Sequence, residues 1–189
     1  MNLIELIEEI WDNSNSVEFG GEQNWLENAN TFKKDWFTSK DIIYPNAPGL
    51  YWFSSNINLK SIERPTNFPL NGCDINLVYA NSSRIFHKEI LTKKIGSWKV
   101  IYNGHESNVA NRIRSHFALN NDRTGALGLR HYNQPLKRWK VSYFSTQDVN
   151  QINKGYRRIA ANLLNSKPGR TALENAWRIK YGWPPLCKE

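Results

Sequence analysis

The sequence predicts an α+β domain. Three observations point there. Short apolar and aromatic runs of strand length occur at residues 49–53, 75–79, 100–102 and 136–144. Amphipathic helical periods occur at 2–12, 109–117, 150–165 and 171–181. The chain has 189 residues, 40% hydrophobic and 13% aromatic, which suits one domain with a sizeable core and excludes a disordered polyanion or polycation.

In chain order, Leu3, Leu6, Ile7, Ile10 and Trp11 share one face of a first helix, opposite Glu5, Glu8, Glu9 and Asp12. Residues 13–22 are polar and read as a loop, and 23–37, with Trp25, Leu26, Phe32, Trp36 and Phe37, as partly helical. Pro45 and Pro48 turn the chain into the strand Gly49-Leu50-Tyr51-Trp52-Phe53. Residues 54–73 read as a long loop and 75–79 (Ile-Asn-Leu-Val-Tyr) as a strand. Arg84 to Lys94 is basic with interleaved apolar residues, and Asn120 to Arg130 is a polar loop. Leu136 to Phe144 reads as a strand with Trp139, Val141 and Tyr143 on one side. Residues 150–165 form a helix that Lys167-Pro168-Gly169 breaks, and a last helix runs from Thr171 to Gly182.

Charge is divided along the chain. Residues 1–50 carry three Lys and nine Asp/Glu, net −6, which leaves +14 for residues 51–189 out of a total of +8. That imbalance points to a polyanionic partner for the second part, nucleic acid above all. The acidic, amphipathic start is the opposite of a signal peptide, and no apolar run is long enough to span a membrane. Cys73 and Cys187 belong to no CxxC pair or Cys/His cluster, so structural zinc is not expected, and a reducing cytoplasm is.

The chemistry concentrates in residues 99–117. Val100 to Tyr102 reads as a strand that Gly104 ends, and Asn108 stands at the N-cap position of a helix. Val109, Ile113 and Phe117 make its apolar face. Arg112 and His116, four apart, line up beside that face, whereas Arg114 points away. Arginine offers phosphate a planar fork, so this strand, glycine turn and helix make a phosphate-handling corner.

Together these pieces resemble the GIY-YIG nuclease family, most closely its stand-alone Type II restriction endonucleases. Gly49-Leu50-Tyr51 matches the first signature and Tyr102-Asn103-Gly104 the second. Arg112 and His116 follow at the family's helix spacing, and Glu174 precedes the prolines of Pro184-Pro185-Leu186. The match covers roughly residues 48–188, behind an N-terminal helical extension (1–47) and around an insertion at about 54–98. Asn103 stands where the family usually has an apolar residue, and Cys187 where it often has an asparagine.

The resemblance implies a small three-stranded antiparallel sheet flanked by helices and a site-specific, divalent-metal-dependent DNA endonuclease. It implies that Tyr51 and Tyr102 flank the attacking water, Arg112 contacts the scissile phosphate, His116 serves as second base or orienter, and Glu174 ligates a single Mg²⁺ or Mn²⁺. Double-stranded DNA would be bound by a homodimer, with the first helix as a candidate dimer element. Arg114, Arg123, Arg130, Lys137 and Arg138 are candidate DNA contacts. A DNA methyltransferase acting on the same site is the partner such an enzyme implies.

Other readings use the same residues. Tyr51 and Tyr102 also suit ordinary half-buried strands. Thr171-Ala-Leu-Glu174 also reads as a capping box that would occupy the glutamate. The competing functions are a repair or structure-selective nuclease, a non-catalytic binding protein on a nuclease-like scaffold, and an RNA-binding domain with Trp139, Tyr143 and Phe144 as stacking platforms. His87, His105 and His131 receive no role, although His105 and Glu106, placed in the turn, could contact DNA or metal.

Overall fold

A computed structural model describes residues 2–18, 46–63, 65–66, 72–118, 125–132, 134 and 136–187. The expected helix within 23–37 and the candidate Arg123 lie outside these residues. The described elements, in order, are α1 (Leu3–Asp12), β1 (Asn15–Glu18), β2 (Gly49–Ser55), α2 (Ile75–Ile85), β3 (Lys94–Ile95), β4 (Trp98–Glu106), α3 (Val109–Ala118), β5 (Trp139–Ser145), α4 (Lys154–Asn165) and α5 (Lys167–Tyr181).

The α+β class holds, but the sheet has five antiparallel strands, in the order β1-β5-β2-β4-β3, where three were expected. β2 lies at its centre, paired to both β4 and β5. Tyr51 stands opposite Gly104 on one side and Tyr143 on the other. The central strand β2 buries one face against each helical layer, which is why Gly49 to Ser55 is buried throughout and shows no polar alternation. The first layer packs Val109, Ile113 and Phe117 of α3 against Tyr51, Phe53, Ile101, Trp139 and Val141. The second packs α1, α4 and α5 against Leu50, Trp52, Val100 and Phe144. The long segment between β2 and β4 leaves their pairing intact, with one bulge between Phe53 and Ser54.

Four local readings need correction. Residues 15–18 form an edge strand against β5, although Asn-Ser-Val-Glu offers one apolar residue, Val17. Residues 75–79 begin a helix: Asp74 caps it, accepting from the Leu77 N–H at 3.0 Å. Gly104 does not end β4, which runs on to Glu106 and takes His105 and Glu106 out of any turn. The last helix starts at Lys167, with Ser166 as its cap accepting from the Gly169 N–H at 3.1 Å and Pro168 in the first turn, where a missing N–H costs nothing.

The first helix is where expected, but its apolar stripe is covered by its own chain. Leu6, Ile7 and Ile10 are fully buried, and Trp11 packs edge-on against Trp52 and Trp177 at 4.9 and 5.4 Å between ring centres. That stripe is therefore not a free dimer surface. After Gly182, whose φ of 98° suits only glycine, the C-terminal segment lies along β4, and the Leu186 N–H donates to the Ile101 carbonyl at 2.9 Å.

Candidate active site

Tyr51, Tyr102, Arg112 and His116 meet on the α3 face of the sheet. Asn108 caps α3 by accepting from the Asn111 N–H at 3.0 Å. Burial of Val109, Ile113 and Phe117, each worth ~1.5–3 kcal/mol, holds the helix on the sheet. Arg112 and His116 are thereby aimed at β2. Arg112 Nε donates to Tyr51 Oη at 3.4 Å, and the charge of the guanidinium also bears on the Tyr102 phenol. His116 Nε2 lies 3.0 Å from Tyr51 Oη. The rings of Tyr51 and Tyr102 stack at 6.2 Å, and Tyr102 lies 4.6 Å from the imidazole.

The histidine's role follows from its other nitrogen. The Leu127 backbone N–H donates to His116 Nδ1 at 3.2 Å, so Nδ1 must carry a lone pair. In a neutral imidazole the proton is then on Nε2. Burial, with Arg112 beside it, holds the imidazole well below its ordinary pKa, so it is neutral. His116 Nε2–H therefore donates to Tyr51. The phenol oxygen accepts from two fixed donors, and its own proton is free to face elsewhere.

Gly104 explains how the phenol fits. A Cβ at Gly104 would overlap the Tyr51 hydroxyl, so only glycine leaves room across the β2–β4 pair. Tyr51 is 1% exposed, and burial raises its pKa well above the ordinary value, with the Tyr102 phenol adding and Arg112 opposing. Burial raises Tyr102 as well, with the Cys187 thiol adding to it and Arg112 opposing.

Glu174 stands on the other side of β4. It is not a capping residue, because α5 starts seven residues earlier. Thr171 is inside the helix, where its hydroxyl bonds the Lys167 carbonyl at 3.0 Å. Glu174 Oε1 accepts from Arg178. Burial raises the carboxyl's pKa and Arg178 opposes that rise. Its side chain is 12% exposed, and its charge is felt by both site phenols. Oε2 accepts no hydrogen bond among the described residues, and its neighbour is His105 Nε2 at 3.6 Å.

These oxygens fit one hard divalent ion that keeps most of its ligands as water and phosphate. No group of three or more His, Cys, Asp or Glu able to hold a metal occurs among the described residues.

Arg178 and Asn103 went unread in the sequence as site residues, and His105 was named only as a possible DNA or metal contact without a role. Arg178 Nε donates to Asn103 Oδ1 at 3.0 Å, and its guanidinium lies 4.3 Å above the Trp183 ring. Its spacing from Glu174, one helical turn on, was the available signal. Asn103 and His105 needed the full length of β4 to be seen on the α5 side.

Among the candidate DNA contacts, Arg114 is exposed on α3 and donates to Asn111 Oδ1 at 3.3 Å, away from Tyr51 as expected. Lys137 and Arg138 are exposed in a 3₁₀ turn leading into β5. Arg130 lies in the Leu129–Tyr132 turn. The stacking-platform reading fails, because Trp139, Tyr143 and Phe144 are 0%, 7% and 0% exposed. No helix of the described residues is long and apolar enough to cross a membrane. Comparison of the chain with protein-family models, curated proteins and solved structures returns no match.

Proposed function

We propose that this chain hydrolyses phosphodiester bonds in double-stranded DNA, as a site-specific, divalent-metal-dependent endonuclease of GIY-YIG type. The observation that carries the reading is the phenol of Tyr51, held by Arg112 and His116 over a glycine. An ordinary strand tyrosine has no need of two fixed donors on a buried oxygen.

In this account Tyr51 first gives up its phenolic proton to solvent, and the phenolate then takes a proton from the attacking water. A phenol with a reference pKa of about 10 is ionised to about one part in a thousand at neutral pH, a cost of about 4 kcal/mol. Burial adds to that cost. The two donors, Arg112 Nε–H and His116 Nε2–H, favour the phenolate and offset part of it. His116 has no lone pair free for the proton, so it orients Tyr51 and does not serve as a second base. Arg112, at the margin of the cluster, meets the charge that develops on phosphate oxygens. Tyr102 shares Arg112 and flanks the water.

Glu174 would hold the divalent ion through Oε2, with Arg178 fixing the carboxylate. Such an ion supplies charge neutralisation at the phosphate and leaving oxygen. The basic half of the chain, including Arg114, Arg130, Lys137 and Arg138, would track the DNA backbone. A domain reading a short palindromic site suits a two-fold dimer, through a surface other than the covered face of α1. A plasmid-nicking assay tests the reading. Cleavage with Mg²⁺ or Mn²⁺ that Arg112→Ala abolishes supports it, and intact DNA with every divalent ion refutes it.

A further inference from the structure

Resting on the reading of Glu174 as a metal ligand, the geometry points to His105 as a second protein ligand, which makes a mixed nitrogen–oxygen site for a first-row transition ion such as Mn²⁺. His105 Nε2 stands 3.6 Å from Glu174 Oε2. Two donors each about 2.1 Å from one ion stand about 3.0 Å apart at a right angle and about 3.4 Å apart at a tetrahedral angle. The observed gap is within a small side-chain rotation of both.

Both residues sit on fixed elements. His105 lies opposite Leu50 in the β2–β4 pair, and Glu174 follows the buried Leu173 on α5. Arg178 occupies Oε1, which leaves Oε2 toward the imidazole. The imidazole itself is not pinned. Its Nδ1 is buried and has no hydrogen-bond partner among the described residues, unlike that of His116. Among the described residues its Nε2 hydrogen-bonds the Thr171 hydroxyl alone, at 3.0 Å; that hydroxyl donates its hydrogen to the Lys167 carbonyl and so accepts from Nε2–H. A metal at Nε2 takes the place of the Thr171 contact, with the proton moved to Nδ1, which no other hydrogen bond occupies among the described residues.

The surrounding charge explains why a nitrogen ligand matters. Arg170, Lys167 and Arg178 place positive charge near His105, and Glu106 opposes them. A neutral imidazole gives a divalent ion a second protein donor beside the one carboxylate. Imidazole binds first-row transition ions better than it binds Mg²⁺, which prefers oxygen, so His105 shifts the preference of the site.

The test uses the full chain loaded with Mn²⁺ and pulsed electron paramagnetic resonance. The expected result is nitrogen modulation from one imidazole in the wild type, kept in His87→Gln, whose histidine is exposed elsewhere, and lost in a folded His105→Gln. Glu174→Gln should lose bound Mn²⁺ altogether. Bound Mn²⁺ without nitrogen modulation, modulation that survives His105→Gln, or no bound Mn²⁺ at all would each overturn the proposal. The first of these leaves Glu174 as sole ligand and the endonuclease reading intact. Nitrogen-coupled Mn²⁺ in a protein that cuts no DNA would uphold the site and remove the endonuclease reading.

Discussion

Asn103 and Cys187 touch, the Sγ of Cys187 lying 3.2 Å from Asn103 Oδ1. Both residues stand where the sequence differs from the family pattern that it resembles. Burial pushes the Cys187 thiol up to about 12, so it keeps its proton and can donate it. The same Asn103 oxygen accepts from Arg178, which holds Glu174. Asn103 thus supplies an amide oxygen to Arg178 from β4. Asn103→Leu should remove this support and leave the Arg178 Nε–H without its acceptor. A lost buried hydrogen bond to a charged group should cost about 1.5–3 kcal/mol, measured by urea unfolding. An unchanged midpoint would mean that Asn103 is not holding Arg178.

Gly104→Ala tests the fit of the Tyr51 phenol without deleting any chemical group. The added methyl would overlap the hydroxyl, and overpacking of this kind costs about 1–3 kcal/mol. Turnover should fall further than stability does, because Tyr51 leaves its two donors. Wild-type cleavage by a folded Gly104→Ala would show that the position of the phenol is unimportant.

His116 links stability to pH. Its pKa is depressed in the folded protein by burial and by Arg112, so the unfolded chain takes up the proton first as pH falls. Its contribution is complete above the unfolded value of about 6.5 and is lost progressively below it, at up to about 1.4 kcal/mol per pH unit. Urea midpoints should fall between about pH 7 and about pH 5 in the wild type and fall less in His116→Gln. As an orienter with a donor retained, His116→Gln should also lose less turnover than the 10²–10⁴-fold typical of a missing general base.

Lys137→Ala and Arg138→Ala should weaken DNA binding evenly across sequences and leave turnover of bound DNA unchanged. Each lost phosphate contact should lower the slope of log affinity against log salt by about 1. Fluorescence anisotropy at several salt concentrations measures it. Unchanged slopes in both variants would move the DNA track elsewhere on the basic half.

Much of the cluster was legible because its spacing is local. Asn108, Arg112, His116 and the apolar Val109, Ile113 and Phe117 lie on one short helix, where periodicity reports faces directly. Tyr51 lay in an obvious aromatic strand. Other features depend on partners far along the chain. The strand at 15–18 exists because β5 has a free edge, and one buried valine gives no alternation to read. The helix at 75–85 buries only Ile75 and Ser82 and leaves Leu77 and Ile85 exposed, so its periodicity is faint. Gly104 looked like a strand end because glycine usually weakens strands, and its reason for being there is a ring on the neighbouring strand. Glu174 read equally well as a cap until the start of α5 at Lys167 was seen.

The most direct test of the central claim is to incubate the purified protein with unmethylated plasmid and a long linear DNA, with and without Mg²⁺ or Mn²⁺, beside Glu174→Ala. The account predicts discrete fragments that require both the divalent ion and Glu174, with ends that reveal a recognition site. Intact DNA under every divalent ion, from a folded protein that still binds DNA, would contradict it.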